Sequence, residues 1–133
     1  MIPTFDEFGR LPPGIHLATV DEITARFGSG SELRRVQMES VLWMVELAIR
    51  VGVERIVLNG SFVTDIIEPN DVDCVLLMGA DYPLDTRAEA DLRTGLPFLD
   101  VAIVRQQDFD RLVNAFFATD RFDAPKGMVE VIL

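Results

Sequence analysis

The strongest helical pattern lies between residues 31 and 50, where apolar residues recur every three or four positions and form one broad face. Ser31 is a suitable N-cap for this helix, and Gly52 is a suitable stop. Upstream, Thr19 and Glu22 form a capping-box pattern, which predicts the start of a shorter helix. The shorter helices are predicted over residues 20–27, 85–93 and 108–118.

Short apolar runs separate these helices and are typical of buried strands. The run over residues 71–78 is apolar on both faces after its first residues, which indicates a central strand covered by helices. Residues 61–67 are predicted to form a single helical turn, and residues 68–70 a loop. In total, strands are predicted over residues 55–59, 71–78, 98–104 and 128–133.

These elements predict one domain over residues 1–133, with an α/β (α+β) fold and a short mixed sheet of about four strands flanked by helices. Residues 1–30 are rich in proline and glycine and are expected to pack on that domain. With 133 residues, of which 49% are hydrophobic and 26% charged, the chain is long enough to bury a core. No apolar run approaches the length of about 18 residues that a membrane span needs, and the N-terminus has no basic or apolar signal region. We therefore expect a cytoplasmic protein without a membrane span.

Charge and the rare residue types narrow the possible chemistry. The chain has 12 Lys and Arg against 22 Asp and Glu, a net charge of −10, which argues against nonspecific binding of nucleic acid. The same charge leaves carboxylate metal sites open, and it suits a basic protein partner. Cys74 is the one cysteine and His16 the one histidine, which excludes an intrachain disulfide and a metal cluster built on either residue type.

Three aspartates stand at the start of the predicted strands or inside them. Asp71 and Asp73 are two residues apart, so both side chains point to the same face of a strand. Asp100 interrupts the apolar run over residues 98–104, where an unpaired carboxylate carries a large desolvation cost. The alternative for Asp71 is a hydrogen-bonding role at a loop end, and a structural role also remains open for Asp73 and Asp100. Three acids that converge from two strands would suit Mg²⁺, which prefers hard oxygen ligands.

Gly60 and Ser61 directly follow the first predicted strand and lie upstream of Asp71. Glycine permits close approach of the backbone, exposed N–H groups at the following turn can cradle phosphate oxygens, and Ser61 adds a hydroxyl donor. An ordinary turn is the alternative for the dipeptide alone. The specific signal is the order of a strand, Gly-Ser, a short helix, a loop, an Asp-x-Asp strand and a third Asp on another strand. Lys126 and Arg105 could also reach a phosphate, with a salt bridge to an acid as the simpler alternative.

The chain carries three motifs, N-G-S-F-V-T at residues 59–64, P-N-D-V-D at residues 69–73 and L-D-V at residues 99–101. In these motifs it resembles the DNA polymerase beta-like nucleotidyltransferase superfamily. Within it, the chain is similar to the minimal nucleotidyltransferases, a group of small bacterial nucleotidyltransferase-like proteins of unassigned function. The motifs cover residues 55–104, and similarity at residues 2–16 and 126–130 extends the resemblance over most of the chain.

The resemblance implies that Gly60 and Ser61 contact a nucleoside triphosphate, expected to be ATP, and that Asp71, Asp73 and Asp100 hold two Mg²⁺ ions. The implied activity is transfer of a nucleoside monophosphate from the NTP to a protein or small-molecule hydroxyl, with Asp100 also able to take the proton of the acceptor. A nucleic-acid acceptor is not expected, because of the bulk charge. The alternatives are an antitoxin-like partner of a basic toxin and a nucleotide sensor, each with the same fold and little or no catalysis.

Overall fold

The computed structural model of the protein describes residues 1–116 and 126–133. This part of the chain contains four α-helices and five strands. The helices are α1 (Val20–Phe27), α2 (Glu32–Val51), α3 (Thr86–Thr94) and α4 (Gln106–Arg111), and α4 continues as a π-helical segment over Leu112–Phe116. The strands are β1 (Gly14–Ala18), β2 (Val53–Asn59), β3 (Val72–Met78), β4 (Leu99–Val104) and β5 (Gly127–Val131).

Local sequence explains where the first two helices begin and end. At α1, the Thr19 hydroxyl accepts from the Glu22 N–H at 3.1 Å, and the Glu22 carboxylate accepts from the Thr19 N–H at 3.0 Å. α2 begins after Ser31, whose hydroxyl accepts from the Arg34 N–H at 3.1 Å. It ends at Gly52, where a φ of 84° puts the backbone in the left-handed region that favours glycine. The capping residues predicted from the sequence are therefore confirmed.

The five strands form one sheet in the order β1-β5-β2-β3-β4. β1 is parallel to β5, and β3 is parallel to β4, whereas β2 is antiparallel to both of its neighbours, β5 and β3. Because of these directions, β2 ends at the edge of the sheet where the other four strands begin. We call this edge the Gly60 edge, after the residue that follows β2.

Apolar side chains pack on both faces of the sheet. One face packs against α1 and α2, and its buried strand residues include Ile56, Leu58, Cys74 and Leu76. The other face packs against Phe109 and Val113, and its buried strand residues are Val57, Val75, Leu77 and Met128. Alternate residues of β3 therefore enter two different cores. This burial on both sides confirms the central position predicted for β3.

The mixed α/β fold is confirmed, but the sheet has five strands and the predicted number of about four is too low. The sequence does not reveal β1, because its residues follow two prolines and begin with glycine. β1 lies at an edge of the sheet, with Ala18 its one fully buried residue, and pairs with β5 from the far end of the chain. Such a strand depends on long-range pairing more than on its own pattern.

Smaller differences concern element boundaries. The last strand spans Gly127–Val131 instead of 128–133, and the helical turn predicted over residues 61–67 is a 3₁₀ helix of Ser61–Val63. The final residues of the helix predicted over 108–118, residues 117 and 118, lie outside the described residues. Among the helices that the structure describes, none is long and apolar enough to cross a membrane.

Candidate functional site at the Gly60 edge

Asp73 and Asp100 are neighbours on one face of the sheet at the Gly60 edge. β3 and β4 are parallel and the two residues are register partners, so their side chains leave the sheet on the same side. This is the face opposite to the Cys74 side chain, which lies in the core under α2. The parallel pairing thus brings together two of the three acids that the sequence singles out.

The charges of Asp71 and Lys126 both act on the Asp73 carboxylate. Partial burial raises the pKa of Asp73, and the negative charge of Asp100 raises it further. The positive charge of Lys126 lowers the pKa of Asp73, and the charge of Asp71 raises it. Asp71 itself is exposed and lies in the loop just before β3. Asp71, Asp100 and Lys126 therefore all lie within electrostatic reach of Asp73.

The surroundings of the acids differ from the expectation in one respect. Asp100 is exposed to solvent, because β4 is an edge strand, so the desolvation cost expected from its apolar neighbours in sequence is absent. Asp73 is half-buried beside it. Within residues 1–116 and 126–133, no three His, Cys, Asp or Glu side chains stand close enough to form a ready metal site. The pair still fits Mg²⁺ in its donor chemistry, since both residues offer hard carboxylate oxygens and a cation would relieve their mutual repulsion.

Gly60 provides the space that the Asp73 carboxylate occupies. The Gly60 backbone has a φ of 86°, a conformation that favours glycine. A Cβ atom added to Gly60 would lie 2.7 Å from Oδ2 of Asp73, well inside van der Waals contact. The glycine turn and the carboxylate therefore touch, which links the two motifs that the sequence places more than ten residues apart.

Ser61 connects this turn to the loop that carries Asp71. Its Oγ accepts a hydrogen bond from the Asn70 N–H at 3.1 Å. Because the hydroxyl oxygen accepts there, its O–H hydrogen points to another acceptor. The side chain is only partly buried, so that acceptor can come from a ligand.

A buried arginine of α2 holds the loop between Ser61 and Asp71. Arg34 is only 5% exposed, and its guanidinium donates to main-chain carbonyl oxygens at 2.5–3.0 Å. The accepting carbonyls belong to Phe27, Phe62, Thr64 and Ile66. Burial lowers the pKa of Arg34, and the charge of Asp65 opposes this effect. A guanidinium suits this position because it presents five N–H donors in a rigid fork.

Gln37, one turn further along α2, holds the second half of the same loop. The residue is completely buried, and its Nε2 donates to the carbonyl oxygens of Pro69 at 2.8 Å and Asn70 at 3.2 Å. Arg34 and Gln37 therefore fix the main chain on both sides of the loop. One face of α2 therefore holds the loop that leads to Asp71, whereas the pairing of Asn59 with Asp73 sets the Gly60 turn beside the Asp73 carboxylate.

Asp65, the acid of the loop itself, points away from the other carboxylates. Its N–H donates to the Gly9 carbonyl at 3.0 Å, and its carboxylate packs over Gly9. Its negative charge acts on Arg34. Asp65 therefore belongs to the support of the loop and not to the group around Asp73.

A cavity of about 270 Å³ lies at the outer side of β4, and Asp100 is the one predicted acid in its lining. Its walls come from the end of α3, the following loop and β4, and include Arg93, Asp100 and Ile103. The other β4 residues of its lining pack on the α2 face of the sheet, so most of the cavity lies on the face opposite to the one from which the Asp73 and Asp100 side chains project.

The sequence does not single out Arg34 or Gln37. Their signal is two polar residues, three positions apart, on the face of α2 that otherwise carries apolar residues. Such residues are buried only where hydrogen-bond partners are available, and the sequence pattern alone does not identify those partners. The structure identifies them as carbonyl groups of a loop that begins more than twenty residues later.

The protein is therefore of the mixed α/β class, and in its candidate site a Gly-Ser turn contacts one of a pair of aspartates on neighbouring parallel strands. The chain belongs to a family of unknown function, DUF6932, which matches residues 3–132. No curated protein and no solved structure matches the chain. The family assigns no activity, so the function has to be argued from the site.

Proposed function

We propose that the protein is a Mg²⁺-dependent nucleotidyltransferase that moves a nucleoside monophosphate from an NTP, in the first instance ATP, to a protein or small-molecule hydroxyl. The observation that carries the proposal is the contact between Gly60 and Asp73, which itself pairs with Asp100. A turn suited to phosphate thus touches carboxylates suited to a cation. The order of the motifs and the resemblance to the nucleotidyltransferase superfamily support the same function.

Each candidate residue has a role that follows from its chemistry. Asp73 and Asp100 would hold Mg²⁺, and the resemblance adds Asp71 as a third ligand and a second ion. When bound, the Mg²⁺ ions supply charge neutralisation for the polyphosphate. Gly60 would let a phosphate approach the main chain closely. Ser61 would donate its O–H to an oxygen of the β- or γ-phosphate.

The reaction exchanges one bond at the α-phosphorus for another and moves one proton. The acceptor oxygen bonds to the α-phosphorus, and the bond from that phosphorus to the oxygen bridging to the β-phosphate breaks. Pyrophosphate leaves with the electron pair of that bond. The proton of the acceptor hydroxyl passes to the Asp100 carboxylate, which is exposed and can release it to water. The acceptor is proposed to approach from the solvent-exposed side of Asp100.

The acceptor class follows from the charge of the whole chain. A net charge of −10 repels a long nucleic acid and favours a small molecule or a basic protein. A basic toxin-like protein would satisfy the same requirement, either as the acceptor or as a partner that is bound without transfer.

Labelled ATP tests the proposal. The protein is incubated with Mg²⁺, a soluble cell extract as the source of acceptors, and ATP labelled at the α- or the γ-phosphate. We expect transfer of the α-label alone, and its loss in Asp73→Asn and in EDTA. The matched control is Asp91→Asn, an exposed aspartate of α3. Transfer of the γ-label would indicate phosphoryl transfer instead, and binding of ATP without transfer would indicate a nucleotide sensor. The absence of both ATP binding and label transfer would contradict the proposal.

A further inference from the structure

Lys126 directly precedes β5 and lies at the Gly60 edge. β5 pairs with β2 in antiparallel fashion, with Val57 opposite Glu130 and Leu58 opposite Val129. At this end of the pairing, β2 leads into Gly60, and Lys126 precedes the first residue of β5. The lysine therefore lies beside the Gly-Ser turn, on the side of β2 away from β3 and the acids.

The register that places Lys126 is fixed by side chains as well as by the ladder. Arg55 of β2 donates to both carboxylate oxygens of Glu130 in β5, at 2.6 and 3.1 Å. At the start of β5, the Gly127 N–H donates to the Leu11 carbonyl at 3.0 Å. A Cβ at Gly127 would lie 2.1 Å from the Pro12 carbonyl oxygen, so the main chain next to Lys126 is held closely against this segment.

Two observations place the Lys126 side chain on the face of the carboxylates. Met128 lies two residues further on and packs with Val57 and Phe109, on the face that Asp73 shares. In addition, the positive charge of Lys126 acts on the Asp73 carboxylate across the turn. Both agree with a side chain that leans over the Gly60 edge.

The Gly60 edge therefore has an ordered distribution of charge. Passing from β5 to β4, it presents the ammonium group of Lys126, the Gly-Ser turn, and then the carboxylates of Asp73 and Asp100. Neighbouring strands lie about 4.8 Å apart, so β5 and β3 are separated by about 10 Å, the scale of an extended polyphosphate.

We infer that Lys126 binds the terminal phosphates of the nucleotide and so directs the α-phosphate towards the acids. This inference rests on the proposed function and deepens it, since it makes the site selective for a nucleoside triphosphate over a monophosphate. An ammonium group supplies a point charge to phosphate oxygens at one end of the chain of phosphates. Its loss removes a contact that AMP never makes.

Equilibrium binding of ATP and AMP in the presence of Mg²⁺ tests this role, by calorimetry on the full chain. The variants are Lys126→Met, which keeps the length of the side chain without its charge, and Lys126→Arg, which keeps the charge. Arg87→Met, at an exposed position of α3, is the control for the loss of one positive charge. Thermal unfolding of each variant checks that the fold is retained.

We expect Lys126→Met to raise the Kd of ATP about 10- to 100-fold and to leave that of AMP within about two-fold, because one charge-assisted contact is lost. Lys126→Arg should recover most of the ATP affinity, and Arg87→Met should change neither Kd. If Lys126→Met weakens the binding of ATP and AMP equally, or changes neither Kd, the role of Lys126 is overturned. In that case, ATP binding by the wild type still upholds the proposed function. A lysine that only neutralises Asp73 would instead tighten Mg²⁺ binding on removal and leave the ratio of the two Kd values unchanged. Absence of ATP binding by the wild type overturns both.

Discussion

Asp73 and Asp100 are register partners in adjacent parallel strands, and partial burial together with the charge of Asp100 raises the pKa of Asp73. Burial of the charged Asp73 carboxylate and its repulsion by Asp100 both disfavour the folded state. A bound cation would turn the same arrangement into a favourable one. The pair therefore links folding stability, pH and cation binding, which makes it accessible to measurements that need no knowledge of the substrate.

The contribution of Asp73 to the free energy of unfolding should fall as pH rises through the titration of this residue. The pKa of Asp73 is higher in the folded than in the unfolded chain, so the folded state binds more protons between the two values. The window starts near the ordinary Asp pKa of 3.8 and ends at the raised folded value. Urea denaturation over about pH 4 to 7 should show that the wild type loses stability relative to Asp73→Asn as pH rises. A wild-type stability that rises more steeply with pH than that of the variant would contradict the shift.

Mg²⁺ should stabilise the wild type and not the Asp73→Asn variant. A ligand that binds only the folded state stabilises it by about 2.7 kcal/mol at a concentration of 100 times its Kd. Without Mg²⁺, the variant should be at least as stable as the wild type at neutral pH, since a repelling charge is gone. Thermal unfolding with and without Mg²⁺ measures both effects, with Asp91→Asn as the control. An equal response of wild type and Asp73→Asn to Mg²⁺ would place the cation elsewhere.

Gly60→Ala should impair both stability and cation binding, because the new methyl group meets the Asp73 carboxylate. The matched control is Gly30→Ala, at a φ of 98° with no atom within 4 Å of the added Cβ. The control should cost about 1–2 kcal/mol from backbone strain alone and leave Mg²⁺ binding intact. Gly60→Ala should cost more, and Asp73→Ala should recover part of the difference in the double variant. Equal costs of the two glycine substitutions would show that the contact with Asp73 does not matter.

Arg34→Met should destabilise the protein by about 2–4 kcal/mol, since it leaves buried carbonyl groups of the loop after Gly60 without their donor. Arg35→Met is the natural comparison, because Arg35 is 63% exposed and pairs with Glu32 of the same helix. Its loss should cost less than about 1 kcal/mol. Urea denaturation measures both. Similar losses for the two variants would mean that the Arg34 hydrogen bonds contribute little beyond their exchange with water.

The elements that the sequence predicts well are those whose pattern is local. The sequence of β3 is apolar on both faces, which predicts a buried strand, and the acids at its start are easily recognised among these apolar residues. The contact of Gly60 with Asp73 can be predicted only in part. The spacing of the motifs indicates that the two residues are near each other, but not that the carboxylate lies where it would clash with a Cβ atom at Gly60. The exposure of Asp100 could not be predicted, since its neighbours in sequence are those of a buried strand and only the strand order makes β4 an edge.

The support of the site is less predictable than its acids. Arg34 looks like a charged helix residue in the sequence, and its burial depends on carbonyl groups from a loop far along the chain. The same is true of β1, which exists through its pairing with β5. Both features arise from contacts between distant segments, which no local pattern encodes.

Cys74 should react with a thiol reagent only when the protein unfolds. Its side chain is 1% exposed, and burial raises its pKa, so the reactive thiolate is scarce in the folded state. As Cys74 is the one cysteine of the chain, a coloured disulfide reagent reports on this site alone. We expect slow labelling in buffer, fast labelling in concentrated urea, and a native rate that Mg²⁺ lowers in the wild type but not in Asp73→Asn. The link to Asp73 follows because Cys74 is its neighbour in β3, so that opening of this strand exposes both. Rapid labelling of the folded protein would contradict the burial of Cys74. If Mg²⁺ slows labelling equally in the wild type and in Asp73→Asn, the opening of β3 does not depend on a cation bound at Asp73.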